Sequence, residues 1–267
     1  MDLGLDGQRV VVTGGSRGIG LGIAHALARE GAALGLIARG ADGLAAAAAA
    51  LAGHGRPVVT VAADVTDFVA LGAAVDDVAE RLGGLDRVVA NAGGTVGGGN
   101  LLDSDPDDFV ATFALNAGHA AAVTSAAVPY LRQAAGPAVV FVASVTGIRP
   151  APRTAYAAAK AAEIHLASTL ARELAPLAIR VNAVSPGSIL FEGGSWDRYQ
   201  RNDPDDFDRF VREEFPHGRL GRVEEVADVV AFLLSERASW ITGSNVVVDG
   251  SQGSPSARRF SPAERRL

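Results

Sequence analysis

A tyrosine and a lysine stand four residues apart in the segment YAAAK, and Lys160 is the only lysine among the chain's 24 lysines and arginines. In a helix this spacing places the Tyr156 and Lys160 side chains on one face, where the ammonium can approach the phenol. A free phenol is a weak acid-base catalyst near neutral pH, and a neighbouring ammonium favours the phenolate. The pair therefore predicts a group that gives a proton to a carbonyl oxygen or takes one from an alcohol.

A glycine-rich segment, TGGSRGIG from Thr13 to Gly20, joins an apolar run to an alanine-rich stretch. Its glycines allow a tight turn and close approach of a pyrophosphate, and the helix that follows offers free N–H groups to the phosphates. The order of strand, loop and helix disfavours a merely flexible turn. The segment predicts a dinucleotide site that contains Gly14, Ser16, Arg17, Gly18, Ile19 and Gly20.

The residue after the second apolar run bears on the choice of dinucleotide. Enzymes that prefer NAD usually place an acid there to bind the ribose 2′-hydroxyl. Here the run ends in Ala38 and Arg39, and Arg39 with Arg17 could bind a 2′-phosphate through their guanidinium groups. The sequence therefore favours NADP(H) over NAD(H), the alternative being that Arg39 is an ordinary solvated charge.

Two further apolar runs end in polar residues expected at the same edge of the sheet. Asp64, followed by Val65, could accept a hydrogen bond from an adenine amine, or could instead cap the next helix, for which Thr66 or Asp67 would serve equally well. The segment NAG would lie beside the cofactor, or could be a turn set by glycine. These runs add Asp64, Val65, Asn91, Ala92 and Gly93 to the predicted cofactor site.

Composition excludes several classes of function. The absence of cysteine removes disulfides, thiolate metal sites and cysteine nucleophiles, and the five histidines show no ligand spacing, so no metal site is predicted. A net charge of -6 without a basic block argues against nucleic acid as a partner. The apolar stretch from Val110 to Leu131 is interpreted as a buried helix because its apolar residues are mostly alanine, and no membrane association is expected. The first residues show no signal peptide, which predicts a cytoplasmic protein.

Short β-branched runs alternate with longer alanine-rich stretches along the chain. This alternation predicts an α/β Rossmann fold, a doubly wound parallel sheet of seven strands with helices on both faces. The predicted strands are Arg9–Thr13, Ala33–Ala38, Pro57–Ala62, Asp86–Asn91, Ala138–Ala143, Ile179–Val184 and Asn245–Val248. The predicted helices are Gly18–Glu30, Asp42–Ala52, Asp67–Leu82, Pro106–Arg132, Ala155–Ala175 and Val223–Ser235.

One domain is expected over residues 1–250, with two segments that interrupt the alternation. Residues 186–221, here the 186–221 segment, form a long insertion at the carboxyl end of a strand, where open α/β sheets place lids over ligands. Its aromatic residues either cover an apolar or ring-containing substrate or form a small core of their own. The tail, residues 251–267, carries Arg258, Arg259, Arg265 and Arg266 and is expected to be mobile or an interface arm.

These motifs, in this order, resemble those of the short-chain dehydrogenase/reductase family from Arg9 to Gly250. The matching positions are TGxxxGxG at Thr13–Gly20, NAG at Asn91–Gly93, a helix asparagine at Asn116, a serine at Ser144, YxxxK at Tyr156 and Lys160, and PG at Pro186–Gly187. The motif usage is similar to that of 3-oxoacyl-carrier-protein reductases and related ketoreductases. The probability that several independent motifs agree in this order by chance is very small.

The resemblance implies a catalytic role for four residues. Tyr156 would be the general acid and base, and Ser144 would hydrogen-bond the substrate oxygen. Lys160 would assist Tyr156 and bind the nicotinamide ribose, while Asn116 would hold a water that connects the lysine to solvent. Each also has a structural interpretation, although a buried Asn116 without partners would cost about 1–3 kcal/mol. Pro186, Gly187 and Ile189 join the implied cofactor site.

The sequence departs from the family pattern near the substrate. Ser144 precedes Tyr156 by 12 positions, one fewer than usual, and Phe191 stands where the family often has a threonine that holds the nicotinamide amide. Ser188 or the Ile189 backbone could take over that contact. The closing motif reads DGS in place of the commoner DGG.

The favoured hypothesis is an NADPH-dependent reductase of a small ketone, free or bound to a carrier. Arg132, Arg149, Arg153 and Arg172 are candidates for a basic carrier-docking site. The alternatives are an NAD(P)+-dependent alcohol or sugar dehydrogenase and, from another class, a dinucleotide sensor without turnover. The resemblance also implies a homotetramer or homodimer built from the two long helices.

Overall fold

The computed structural model describes residues 2–98 and 100–257. Its main sheet has seven parallel strands in the order β3-β2-β1-β4-β5-β6-β9, and β7 pairs with β8 in a separate small sheet. The strands are β1 (Arg9–Thr13), β2 (Ala33–Ala38), β3 (Val58–Ala62), β4 (Arg87–Ala90), β5 (Ala138–Val142), β6 (Arg180–Pro186), β7 (Ile189–Leu190), β8 (Gly221–Arg222) and β9 (Asn245–Val248). The α-helices are α1 (Gly18–Arg29), α2 (Ala41–Leu51), α3 (Phe68–Leu82), α4 (Pro106–Phe113), α5 (His119–Leu131), α6 (Thr154–Glu173), α7 (Ser195–Asn202), α8 (Pro204–Glu214) and α9 (Val223–Leu234).

The sheet has a hydrophobic core on each face, which is why its strands are apolar without alternation. Successive side chains of β1 point to opposite faces: Val10 and Val12 pack with α1, α2 and α9, whereas Val11 packs with α3, α5 and α6. All three valines are fully buried, and each such side chain contributes about 1.5–3 kcal/mol relative to an exposed one. The predicted doubly wound fold is confirmed.

Strand order reverses between β1 and β4, since β1 leads outward through β2 to β3 while β4 starts the other half. A crevice opens at the carboxyl edge at such a reversal, because the connections on either side leave in opposite directions. The glycine loop after β1 and the NAG segment after β4 both lie at this crevice. The topology therefore brings the sequence motifs together.

The prediction of one continuous helix over Pro106–Arg132 is wrong, because the structure has two α-helices, α4 and α5, in this range. Residues 114–118 form a π-helical turn between α4 and α5. The cause is the Asn116 side chain, whose Nδ2 donates to the Thr112 carbonyl at 2.7 Å and so occupies the acceptor that a regular helix gives to its own N–H. Within residues 2–98 and 100–257, no helix is long and apolar enough to cross a bilayer.

The 186–221 segment contains structure that the sequence pattern did not predict. It holds β7, α7, α8 and the start of β8. Phe207, Phe210 and Phe215 are buried together with Leu220. These three phenylalanines therefore form a small core of their own. Phe191, Trp196 and Tyr199 instead line cavities, so each of the two interpretations holds for part of the aromatic residues.

Candidate active site

The glycine loop ends at a helix N-terminus that has no side-chain cap. Arg17 is the N-cap of α1 and makes no capping hydrogen bond, and no acid lies in the first turn, so the first amides are free to face an anion. A Cβ at Gly20 would collide with the Gly14 carbonyl, and Gly14 itself has φ +65°. Glycine is required at both positions, and the resulting concave backbone fits a pyrophosphate.

A cleft of about 750 Å³ runs from this loop along the carboxyl edge of the sheet. Every residue that the sequence assigned to catalysis or to the cofactor lines it, with the exception of Asn116. The lining includes Gly14, Ser16, Arg17, Gly18, Ile19, Gly20, Arg39, Asp64, Val65, Asn91, Ala92, Gly93, Ser144, Tyr156, Lys160, Pro186, Gly187 and Ile189. The concave glycine loop and this elongated cleft fit a dinucleotide.

The two arginines with a predicted role in cofactor choice, Arg17 and Arg39, both line this cleft. Arg17 and Arg39 are exposed, and neither forms an ion pair with another residue in the described part of the chain. Gly40, the N-cap of α2, also borders the cleft and supplies no side-chain cap. This corner thus combines two exposed guanidinium groups with a helix N-terminus that has no side-chain cap.

Asp64 does not cap α3, which settles one alternative. The N-cap is Asp67, whose side chain accepts hydrogen bonds from the amides of Val69 and Ala70. Asp64 Oδ1 instead accepts from the Thr66 amide at 2.9 Å and its hydroxyl at 2.8 Å. These bonds, with a smaller contribution from Arg39, lower the pKa of Asp64, so it stays ionised beside the cleft.

Asn91 fixes the glycine loop to the end of β4. Its side-chain Nδ2 donates to the carbonyls of Thr13 and Gly14 at 3.0 and 3.3 Å, and its backbone N–H donates to the Thr13 hydroxyl at 3.0 Å. The Thr13 hydroxyl also approaches His119 Nε2 at 3.1 Å. Asn91 therefore positions the glycine-loop backbone that borders the cleft.

His119 is a buried polar residue that the sequence analysis did not single out. Its Nδ1 lies 3.0 and 2.9 Å from the carbonyls of Leu115 and Asn116, so this nitrogen carries the hydrogen and Nε2 accepts from Thr13. Burial, followed by the charge of Lys160, lowers the pKa of His119 to about 4. The imidazole is thus neutral near pH 7 and connects the π-helical turn to the glycine loop.

Asn116 is completely buried but well supplied with partners. In addition to the bond to Thr112, its side-chain Nδ2 donates to the Gly94 carbonyl at 2.8 Å, and its Oδ1 accepts from the Gly94 backbone N–H at 3.2 Å. A Cβ added to Gly93 would lie 2.7 Å from Asn116 Oδ1 and 3.0 Å from Lys160 Nζ. The asparagine therefore holds the loop after β4 against the lysine, and its water-binding role stays a prediction.

Ser144 and Tyr156 meet at the inner end of the cleft. Ser144 Oγ accepts hydrogen bonds from the Thr146 amide and hydroxyl at 3.2 and 3.0 Å, which leaves its own hydrogen available for a ligand oxygen. The Tyr156 hydroxyl has no hydrogen-bond partner within residues 2–98 and 100–257, and its side chain lines the cleft. Two hydroxyl donors therefore face the same space.

Lys160 lies behind Tyr156, with Nζ 5.7 Å from the centre of the phenol ring. Its ammonium donates to the Val142 carbonyl at 2.9 Å and to Glu163 Oε2 at 2.8 Å. Burial by itself lowers the pKa of Lys160, but the negative charges of Glu163 and of the Tyr156 phenolate outweigh it and the pKa is raised. The lysine is a fixed positive charge beside the phenol.

Phe191 and Ser188 behave differently at the position where the family often has a threonine. The Phe191 ring lies against Gly18, since a Cβ on that glycine would come within 2.8 Å of it. Ser188 is buried and bonded to Gln252, accepting from Nε2 at 2.9 Å and donating its amide to Oε1 at 2.8 Å. Ser188 therefore does not face the cleft, whereas Ile189 lines it.

A second cavity, of about 520 Å³, opens from the same hydroxyl groups. It shares Gly94, Ser144, Tyr156, Gly187, Ser195 and Trp196 with the cleft. The remaining wall combines polar and apolar residues from four parts of the chain: Thr95, Val145, Thr146, Pro152, Arg153, Ser188, Tyr199, Asp206, Pro255, Ser256 and Ala257. Ser144 and Tyr156 stand where the two spaces join.

The beginning of the tail forms part of this cavity and is held in place by three contacts. Arg149 bonds the carbonyl of Gln252 and the carboxylate of Asp249, and Glu214 binds the Ser254 amide. Residues 252–257 therefore find backbone partners within the fold, and the expectation of a mobile or interface arm stays a prediction for the tail. Arg258, Arg259, Arg265 and Arg266 lie outside the described residues.

The four arginines proposed as a carrier-docking site do not share one surface. Arg149 is paired with Asp249, whereas Arg153 stands at the N-terminus of α6, beside the second cavity. Arg132 follows α5 and Arg172 lies in the last turn of α6, at the opposite edge of the sheet. They separate because helices in this fold run antiparallel to the strands.

Several site residues escaped the sequence analysis. Thr95 and Thr146 follow recognised motifs closely, and proximity to NAG and Ser144 was the available signal. Residues 255–257 carried none, since they reach the cavity only through long-range packing. Glu163, three positions after Lys160, could have been found from the i,i+3 spacing of opposite charges on a helix.

The comparisons with known proteins agree with this geometry. A family model described as enoyl-(acyl carrier protein) reductase matches residues 14–251. The oxidoreductase UcpA of Salmonella typhimurium is 36% identical over 256 residues, which is 94% of this chain and 96% of that protein. The chain belongs to the short-chain dehydrogenase/reductase family. It is an oxidoreductase whose fold binds a nicotinamide dinucleotide.

Other short-chain dehydrogenases/reductases that resemble this chain act on chemically different compounds. Isoepoxydon dehydrogenase patN of Penicillium expansum is 33% identical over 254 residues, 92% of this chain and 95% of that protein. L-sorbose reductase of Gluconobacter frateurii, solved with NADPH and L-sorbose, has a TM-score of 0.88 at 33% identity, over 94% of this chain and 98% of that chain. A 7α-hydroxysteroid dehydrogenase solved with NADH has a TM-score of 0.88 at 29% identity, over 96% of this chain and 98% of that chain.

Proposed function

We propose that this short-chain dehydrogenase/reductase reduces a small, polar ketone with NADPH, with Tyr156 as the general acid. The observation that carries the proposal is the position of the Ser144 and Tyr156 hydroxyls at the junction of the two cavities. A dinucleotide in the larger space and a carbonyl compound in the smaller one would meet at these two groups. NADPH, when bound, supplies the hydride.

The roles of the four catalytic candidates follow from their contacts. Ser144 has a free hydroxyl hydrogen to donate to the substrate oxygen because Thr146 occupies its lone pairs. Tyr156 gives its proton to the same oxygen as the alcohol forms, and the Lys160 ammonium stabilises the phenolate that remains. Asn116 holds the Gly93 and Gly94 backbone next to the lysine.

The preference for NADPH over NADH rests on Arg17 and Arg39. Both guanidinium groups border the cleft without an ion-pair partner in the described part of the chain, and no acid follows β2 to hold a ribose 2′-hydroxyl. A 2′-phosphate would neutralise them through charge-assisted hydrogen bonds. The cofactor would be held further by the free N–H groups of the first turn of α1.

The wall of the second cavity favours a polar substrate over an extended apolar one. Thr95, Thr146, Arg153 and Asp206 supply donors and acceptors, and Trp196 adds an aromatic surface. The same wall gives support to a second candidate, reversible oxidation of a hydroxylated compound such as a sugar. The scattered arginines favour a free substrate over one bound to a carrier.

The test is a screen of the purified protein with NADPH and NADH against ketoses, β-keto esters and steroid ketones, followed through the cofactor absorbance. We expect turnover of polar ketones with NADPH and a loss of at least about 100-fold in Tyr156→Phe. Tyr130→Phe, at a half-buried tyrosine of α5 that lines neither cavity, is the matched control. Dinucleotide binding without turnover of any compound would instead support a sensor, and turnover by Tyr156→Phe at the normal rate would exclude Tyr156 as the acid.

A homotetramer or homodimer remains a proposal drawn from the family resemblance. Sedimentation or size-exclusion measurements would decide between them. The cytoplasmic location is likewise proposed, and fractionation of cells that produce the protein tests it.

A further inference from the structure

Glu163 is a buried carboxylate in contact with the catalytic lysine candidate. It lies three residues after Lys160 on α6, and the Nζ to Oε2 distance is 2.8 Å. The side chains are 3% and 0% exposed for Lys160 and Glu163. Within the described residues, Glu163 Oε1 has no hydrogen-bond partner. Because burying a carboxylate is costly, its presence here calls for an explanation beyond packing.

The surroundings of Glu163 on α6 would accept an apolar residue. Ala159 and Ala167, one turn before and after it, are buried alanines. A small apolar side chain at position 163 would continue this face without any ionic cost. The presence of a carboxylate at position 163 is therefore explained by the Lys160 ammonium and not by the packing of the helix.

Lys160 in turn depends on a counter-ion. Enclosing an ammonium in a protein interior can lower its pKa by about 3–5 units, which would leave the lysine neutral near the working pH. Here burial is opposed chiefly by the negative charge of Glu163, and the pKa of Lys160 is raised. Burial raises the pKa of Glu163 while the ammonium opposes that rise.

The other groups around the ammonium do not replace Glu163. Tyr156 lies on the same helix and is charged only as the phenolate. His119, at the start of α5, is kept neutral by burial and by Lys160 itself. The strand β5 offers the Val142 carbonyl, and the loop after β4 and the π-helical turn offer Gly93 and the Asn116 amide, none of which titrates.

We propose that Glu163 is a positioning residue that keeps Lys160 charged and fixes the direction of its ammonium in the reaction proposed above. Val142 and Glu163 accept two of the three ammonium hydrogens. The third is left for the cleft, which Lys160 lines beside Gly93. Its contribution to turnover rests on the proposed function, whereas its effect on Lys160 does not.

The decisive experiment uses the fact that Lys160 is the only lysine in the chain. Protein produced with isotopically labelled lysine gives a single side-chain ammonium signal in NMR, which can be titrated with no cofactor or substrate present. We expect the unchanged protein to titrate above the free-lysine value of 10.5. In Glu163→Gln, which keeps the shape and removes the charge, the midpoint should fall by about 2 units or more.

Two variants bracket this result. Glu163→Asp retains a carboxylate and should keep the midpoint nearer to that of the unchanged protein. Glu173→Gln, the same substitution at the exposed end of α6, should leave it unaltered. An unaltered midpoint in Glu163→Gln would overturn the proposal. So would a midpoint below 10.5 in the unchanged protein, a result that needs no variant to fold.

The pH dependence of ketone reduction supplies a second readout. Glu163→Gln should lose activity on the alkaline side, where its lysine becomes neutral, and retain it at lower pH, and Glu163→Asp should restore the alkaline activity. An equal loss at every pH would indicate a structural role only and overturn the proposal. Since the NMR titration needs no turnover, failure of the proposed ketone reduction and failure of the lysine assignment are distinguishable.

Discussion

Asn116 and Gly94 are hydrogen-bonded to each other in both directions, with Nδ2 donating to the Gly94 carbonyl at 2.8 Å and Oδ1 accepting from its amide at 3.2 Å. The same Nδ2 also donates to the Thr112 carbonyl, and α4 is therefore followed by the π-helical turn. The defect in the helix and the shape of the loop after β4 thus have one cause. A regular helix in place of the π-helical turn would move the Asn116 side chain away from the loop after β4, which it holds against Lys160.

Replacing Asn116 with alanine should therefore affect stability as well as activity. Asn116→Ala removes the partners of Gly94 and of the Thr112 carbonyl, and we expect the free energy of unfolding to fall by about 1–3 kcal/mol. Urea denaturation followed by circular dichroism measures this change. Gln133→Ala removes an exposed amide from the end of α5 and should leave the denaturation midpoint in place. Equal midpoints for the two variants would contradict a structural role for Asn116.

Replacing Arg39 with aspartate should reverse the cofactor preference. Loss of charge-assisted bonds to a 2′-phosphate is expected to weaken NADPH binding by roughly 10- to 100-fold, while a carboxylate can bind the ribose hydroxyl of NADH. Calorimetric titration with each cofactor gives both Kd values without any substrate. Arg172→Asp, at the far edge of the sheet, is the control of equal charge change. Parallel weakening of both cofactors would show that Arg39 does not recognise the phosphate.

The lowered pKa of His119 makes stability depend on pH. The folded protein keeps this imidazole neutral down to about pH 4, whereas an unfolded histidine takes a proton below 6.5. Between these values only the unfolded chain binds the proton, so the free energy of unfolding falls with falling pH, by about 3 kcal/mol in total. Below both pKa values the contribution stays constant.

Urea denaturation of the unchanged protein and of His119→Gln over this pH range isolates the effect, since the carboxylates titrate in both. The difference between the two proteins should shrink as the pH falls. His165→Gln removes an exposed histidine of α6 and should follow the unchanged protein at every pH. A constant difference between pH 6.5 and pH 4 would mean that His119 does not titrate as its burial requires.

Gln252 should influence substrate binding more than cofactor binding. It is buried and bonded to Ser188 and to the Ser254 carbonyl, so it fixes the tail residues that line the second cavity. Gln252→Leu should raise the KM of a ketone substrate by about tenfold, a loss of about 1.4 kcal/mol, and leave the Kd of NADPH near its original value. Gln133→Leu provides the exposed control. A larger change in Kd than in KM would place Gln252 in the cofactor site.

Local sequence signals were enough for most of the fold. The bounds of Arg9–Thr13, Ala33–Ala38 and Asn245–Val248 agree with the structure residue by residue, because short apolar strands between glycine-rich turns leave little freedom. The facing of Tyr156 and Lys160 follows from their spacing alone. The meeting of the glycine loop and the NAG segment follows from the reversal of strand order.

Features that depend on side-chain contacts could not be predicted in the same way. The π-helical turn arises because one amide competes for one carbonyl, which no hydrophobic period reveals. The helices α7 and α8 are rich in charged residues, but the i, i+3, i+4 spacing of Phe207, Phe210 and Val211 was a helical signal that the sequence analysis missed. Gln252 reaches Ser188 across 64 positions, and only the folded chain shows that they are partners.

The two ends of the described chain lie at opposite edges of the sheet. Near the start, the Asp2 carbonyl accepts from Arg237 and the Gly7 amide donates to Gly31, both beyond the ends of helices that return to the amino edge. Ser256 and Ala257 instead border the second cavity. An affinity tag or an immobilising support attached near Asp2 would therefore leave the entrance open, whereas a bulky label attached to Ser256 or Ala257 would crowd it.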